Sequence, residues 1–156
     1  MSAAYLSRRW RSRRQVSIAL RLGRLQGHAG AYQLQAAIAA VHAEAARPED
    51  TDWPQIVALY DLLAQAHPSP VVELNRAAAV AMANGPEAGL RLMDRPELAN
   101  ALQAYRWFHA ARADLLRRLG RCSEAAAAYT RALELTQNAA ERAYLRRRLD
   151  GSVSSW

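Results

Sequence analysis

The sequence predicts an all-α domain assembled from successive helix pairs. Three observations carry that prediction. Alanine supplies 35 of the 156 residues, apolar side chains recur at three- and four-residue spacing, and Pro, Gly and Asn interrupt the pattern every few helical turns. Alanine loses no side-chain entropy in a helix, and its small side chain lets neighbouring helices approach closely. Alternating β-branched runs, the raw material of strands, are absent. A chain of this length that is 51% hydrophobic can bury one core without disulfides.

The elements follow in order. A first helix is predicted over Tyr32 to Ala46, with Tyr32, Gln35, Ala36, Ala39 and Ala43 along one side, followed by a polar loop from Arg47 to Thr51. Asp52 reads as an N-cap, with Pro54 in the first turn and Gln55 at the third helical position. The helix it opens sets Trp53, Ile56, Val57, Tyr60 and Leu63 on one face. Ser69 and Pro70 start the next helix, over Val71 to Ala83. Asn84-Gly85-Pro86 is a turn into a short helix ending near Met93, and Asp94-Arg95-Pro96 restarts the chain. A longer helical region ends at Gly120, where a left-handed C-cap residue is expected. Ser123 to Gln137 forms the next helix, with Ala125, Ala128, Tyr129 and Ala132 on its packing face. Asn138 and Glu141 resemble a capping box for a last amphipathic helix, with Tyr144, Leu145 and Leu149 apolar against Arg146, Arg147 and Arg148. The expected organisation is a basic leader over 1–26, a helical domain over 27–150 and a frayed tail over 151–156.

A repeat underlies the helix pairs. GRCSEAAAAYTRALELTQN (120–138) is close to the second half of a tetratricopeptide repeat, with Ala125, Tyr129 and Ala132 at its small, aromatic and small positions. Ile56, Tyr60, Leu63 and Pro68 have the same spacing as Ala125, Tyr129, Ala132 and Gln137, and a degenerate unit lies around Ala88 and Leu92. Ile56, Ala88 and Ala125 stand 32 and then 37 residues apart, straddling the ~34-residue period of that repeat. The architecture expected is a right-handed, tetratricopeptide-like stack of about seven helices.

Four longer strings, AYQLQAAIAAVHAEA (31–45), DTDWPQIVALYDLL (50–63), PSPVVELNRAAAVAMANGPEAGL (68–90) and HAARADLLRRLGR (109–121), resemble the C-terminal extension of a subgroup of extracytoplasmic-function (ECF) sigma factors. The resemblance covers roughly residues 19–150. It implies a tetratricopeptide-like region that regulates or supports bacterial transcription initiation through protein contacts. The implied partners are the sigma core regions, RNA polymerase or a cytoplasmic regulator. Two departures stand out. Ala31 replaces a proline usual in the family, and no segment resembles region 2 or region 4, which melt and read the promoter and which the family would place upstream of residue 1. The alternatives are a free-standing helical scaffold or the remnant of a truncated gene.

Catalytic and metal-binding patterns are not found. His28, His42, His67 and His109 stand apart from one another and from Cys122, and there is no P-loop, dinucleotide fingerprint or nucleophile elbow. Asp94, Glu97, Asp114 and Glu124 read as surface acids, and Trp107 and Phe108 as core. The expectation is a non-enzyme without metal or cofactor. One conflict is informative: His109 and Arg112 interrupt an otherwise apolar stripe of Tyr105, Phe108, Leu115, Leu116 and Leu119. Asn75 and Arg76 interrupt the preceding unit in the same way. Buried without partners they would cost several kcal/mol, so they either form an inter-helix network or border a groove. First helices line the concave groove of tetratricopeptide domains, which nominates Tyr32, Gln33, Asn75, Arg76, His109 and Arg112 as partner-binding residues.

Charge is unevenly spread. Residues 1–26 hold seven arginines and no acid, so the formal +7 is that of the leader, and the other 14 arginines balance 14 acids. The leader reads as a solvated arm, a non-specific nucleic-acid contact through Arg8, Arg9, Arg11, Arg13 and Arg14, a transit peptide, or translation from a misassigned start. No run of ~20 apolar residues offers a membrane span. The lone Cys122 suits a reducing cytoplasm. The sequence does not specify an oligomeric state.

Overall fold

A computed structural model describes residues 28–153. The arginine leader and the last three residues, and with them the nucleic-acid candidates Arg8, Arg9, Arg11, Arg13 and Arg14, lie outside the described residues. Among the described residues the structure is all-helical, with no strand. Eight α-helices appear, where about seven were expected: α1 His28–Glu44, α2 Trp53–Ala66, α3 Pro70–Asn84, α4 Pro86–Met93, α5 Pro96–Ala101, α6 Arg106–Arg118, α7 Cys122–Glu134 and α8 Ala139–Val153. A 3₁₀ turn, Pro48–Asp50, sits in the predicted polar loop. None of the described helices is long and apolar enough to cross a membrane. The chain divides into two compact units, one up to Ala79 and one from Val80, with the boundary inside α3.

In the first unit α1 packs along α2. The core joins Leu34, Ile38 and Val41 of α1 to Ile56, Leu59 and Leu63 of α2, with Val72 and Ala79 of α3. The α1 side named from the sequence, Tyr32, Gln35, Ala36, Ala39 and Ala43, is exposed, and the more apolar stripe Leu34, Ile38 and Val41 on the same helix is the one buried. Helix α1 also includes His28 to Ala31, ahead of the expected start at Tyr32. At α2 the predicted cap is present: Gln55 N–H donates to Asp52 Oδ1 at 3.1 Å. At the start of α3 the backbone carbonyl of Ser69 accepts from Glu73 N–H at 3.0 Å.

In the second unit α6 packs on α7, α7 on α8, and α4 on α6. Gly85 joins α3 to α4 at φ +96°, a conformation nearly confined to glycine. The longer helical region expected before Gly120 comprises two helices, α5 and α6, joined by a turn in which Tyr105 N–H donates to Leu102 O at 2.9 Å. No Gly or Pro marks this break; it turns the buried Leu98 and Leu102 inward. Helix α6 ends in a Schellman motif. Gly120 has φ +72°, its N–H donates to Arg117 O, and Arg121 N–H donates to Leu116 O, each at 3.0 Å. The predicted repeat face is buried throughout: Ala125, Ala128, Tyr129 and Ala132 all lie in the core.

Two boundaries near the C-terminus differ from expectation. Helix α7 stops at Glu134 rather than Gln137, and Thr136 Oγ1 turns back to donate to Ala132 O at 2.6 Å. Arg142 of α8 then closes the α7 terminus, its Nη1 donating to Leu133 O and Thr136 O at 2.8 Å each. Asn138 caps α8 as predicted, Oδ1 accepting from Ala140 N–H at 2.9 Å and Glu141 N–H at 3.1 Å. Helix α8 continues to Val153, so residues 151–153, expected in a frayed tail, are helical.

Candidate functional site

The six residues nominated for partner binding divide between the two units. Tyr32, Gln33, Asn75 and Arg76 belong to the first, His109 and Arg112 to the second. Tyr32 is 74% exposed, and Gln33 and Asn75 are exposed as well. Arg76 Nε donates to Asp61 Oδ1 on α2 at 2.6 Å, and its Nη1 is 3.5 Å from Glu73 Oε2. The hydrogen bond to Asp61 raises the Arg76 pKa further above its ordinary value, against some desolvation. Arg112 likewise donates from Nε to Asp94 Oδ1 at 2.7 Å, reaching from α6 to the cap of α4. His109 Nε2 lies 2.9 Å from the carbonyl of Gln103 in the α5–α6 turn. A carbonyl only accepts, so that nitrogen carries the proton.

Of the residues that interrupt the apolar pattern, Arg76, Arg112 and His109 bond to other elements, while Asn75 is exposed. Both arginines tie one helix to a neighbouring element of its own unit. Two of the other scanned acids pair locally with an arginine three positions away. Asp114 accepts from Arg117 at 2.8 Å, and Glu124 accepts both Nε and Nη2 of Arg121 at 2.8 Å. The Arg121 guanidinium holds the Glu124 carboxyl below the ordinary range. Among the described residues no group of three His, Cys, Asp or Glu side chains could hold a metal.

A different site emerges in the second unit. A cavity of about 330 Å³ is lined by Arg106, Trp107 and Ala110 of α6, Thr136 after α7, and Ala140, Glu141, Tyr144 and Leu145 of α8. Its lining is almost wholly apolar apart from one ion pair, in which Arg106 Nε donates to Glu141 Oε2 at 3.0 Å. That pair explains why the capping box is incomplete, since the Glu141 carboxylate turns to α6. Two aromatic side chains border the cavity in partial exposure, Trp107 at 45% and Tyr144 at 48%. Each carries an arginine over its ring. Arg106 lies 4.8 Å from the Trp107 centroid, and Arg148 lies 5.4 Å from that of Tyr144 while donating Nε–H to its hydroxyl at 3.1 Å.

Trp107 was expected in the core, and only its neighbour Phe108 is buried there. Consecutive helix residues point about 100° apart, so the side of a neighbour, apolar or polar, decides whether it joins the core. Phe108 shares a stripe with Leu115 and Leu119, whereas Trp107 shares one with Ala110, Asp114 and Arg117. That polar stripe was the available signal.

Comparison with known proteins gives one relationship and no family. No family model matches the chain, and no solved structure matches it. An uncharacterized protein of Rhizobium meliloti (strain 1021) is 51% identical over 121 residues. The match takes in 78% of this chain but only 28% of that protein, so the chain spans little more than a quarter of its relative.

Proposed function

We propose that this chain is a protein-interaction and regulatory domain of an ECF sigma factor, acting in the cytoplasm at transcription initiation through binding and not through catalysis. The observation that carries the reading is the set of four sequence blocks over 31–45, 50–63, 68–90 and 109–121, which resemble that extension. The helix pairs agree with it: Ile56 and Leu63 of α2 and Ala125, Tyr129 and Ala132 of α7 are buried at the matching repeat positions.

The implied partner is protein: sigma core regions, RNA polymerase or a cytoplasmic regulator. Promoter-specific initiation needs one element that melts DNA and another that reads it, and no stretch of this sequence resembles either. The test is co-purification of the chain with an ECF sigma core lacking its own extension, beside in vitro transcription. The chain should bind that core, or polymerase carrying it, and should direct no initiation alone. Specific initiation by the chain alone overturns the assignment. Binding to neither target moves the reading to a free-standing scaffold or a gene remnant.

A further inference from the structure

We propose that the cavity between α6 and α8 is a docking groove for an acidic amphipathic helix of a protein partner. This rests on reading the chain as an interaction module, and it names both the surface and the chemistry of what it takes. Shape and lining argue for an apolar anchor. Ala110, Ala140 and Leu145 offer no hydrogen bond, and the volume suits one or two bulky apolar side chains. Trp107 and Tyr144 flank this floor, and half-exposed aromatic side chains held by arginine are the residue types that dominate interface energetics. An incoming helix lying along two flanking helices presents such anchors at three- and four-residue spacing.

Charge argues for an acidic partner. The described residues are formally neutral, but that neutrality is a sum of opposites. Residues 28–79 hold two arginines against six acids, whereas residues 106–153 hold ten arginines against five acids. The groove therefore sits in the basic part of the chain. Arg147 is exposed one turn beyond Tyr144, and Arg148 stands over the Tyr144 ring. Carboxylates on the flanks of a docked helix would meet these guanidinium groups with favourable directed bonds. A nucleic-acid strand fits less well, because a phosphate backbone gains nothing from Leu145 and Ala110.

The experiment uses the full chain and a labelled peptide of about 14 residues, roughly four helical turns, with Leu on one face and Glu on the other. A twin carries Lys in place of Glu, and binding is read by fluorescence anisotropy. The Glu peptide should bind at least about tenfold more tightly than its twin, a difference of about 1.4 kcal/mol. Trp107→Ala should weaken it about tenfold or more. Arg147→Glu, at an exposed position outside the packing, should shift the preference toward the Lys twin; thermal melts confirm that the variants fold. Equal binding of the twins, indifference to Trp107→Ala, or single-stranded DNA that displaces the peptide and itself depends on Trp107 would overturn the proposal. So would a Trp107-dependent dimer in sedimentation, which would assign the groove to a second copy. If sigma core is captured but the Glu peptide is not, the groove assignment fails and the sigma reading stands. Peptide binding without capture has the opposite meaning.

Discussion

Gly85 and Gly120 hold backbone conformations that side chains disfavour, and each marks the end of a helix. A Cβ added at either position meets nothing within 4 Å, so substitution tests backbone strain alone. Gly120→Ala should cost about 1–2 kcal/mol in chemical denaturation, the left-handed penalty for an L-residue. Gly85→Ala should cost about 1–3 kcal/mol, because its φ and ψ are nearly inaccessible to other residues. Tyr129 gives a pH test. Its side chain is 2% exposed, and burial pushes its phenol up, with the neighbouring Arg117 guanidinium opposing. The folded state thus keeps this proton at higher pH than the unfolded chain, whose phenols titrate near about 10. The stability concerned is fully present below that value and is lost as pH rises through the folded pKa. Tyr129→Phe should flatten the alkaline loss in pH-dependent melts, though only in part, because Tyr60 is raised by burial in the same direction.

The end of α7 is secured by a side chain from the following helix. Arg142 donates two hydrogen bonds to carbonyls at and just beyond the α7 terminus, and bonds of this charge-assisted kind contribute about 1.5–3 kcal/mol each at most. Since the guanidinium is only half-buried, Arg142→Ala should cost about 1–2 kcal/mol in total. Arg146→Ala, one turn away and exposed, should stay within about 0.5 kcal/mol. Comparing the two midpoints in urea separates capping from loss of charge. The pairs Arg76–Asp61 and Arg112–Asp94 are short but partly exposed, so double-mutant cycles should give no more than about 1 kcal/mol for each. Their geometry fixes which turn of one element meets which turn of the next, a matter of register more than of strength.

At the scale of the whole chain, charge separation governs weak binding. The leader holds seven arginines without an acid, and residues 106–153 carry a further surplus of five. Non-specific DNA affinity should therefore fall in two steps. Deleting residues 1–26 removes the larger part, and Arg146→Glu with Arg147→Glu reduces what is left, each lowering the salt dependence. Titration at several salt concentrations checks both steps. Discrimination of promoter from random DNA after the deletion would contradict a body without a DNA reader.

The sequence by itself determined the all-α class, most helix starts and the packing face of α7. These are set by neighbours along the chain: Asp52 beside Gln55, Pro70, Gly120 and Asn138 act within a turn or two, and Ala125, Ala128, Tyr129 and Ala132 recur at the helical period. The interaction surface was less legible. The arginines that break the apolar pattern, Arg76 and Arg112, looked available for a partner until Asp61 and Asp94 were found 15 and 18 positions earlier in the chain and within hydrogen-bond reach. The stripe of Leu34, Ile38 and Val41 that α1 turns to the core is itself a local signal, its apolarity. Tertiary structure alone brought Trp107 to Tyr144 across one cavity. Local signals act through the backbone over a few residues. An ion pair or a groove instead depends on which distant helices meet, and no spacing along the chain encodes that.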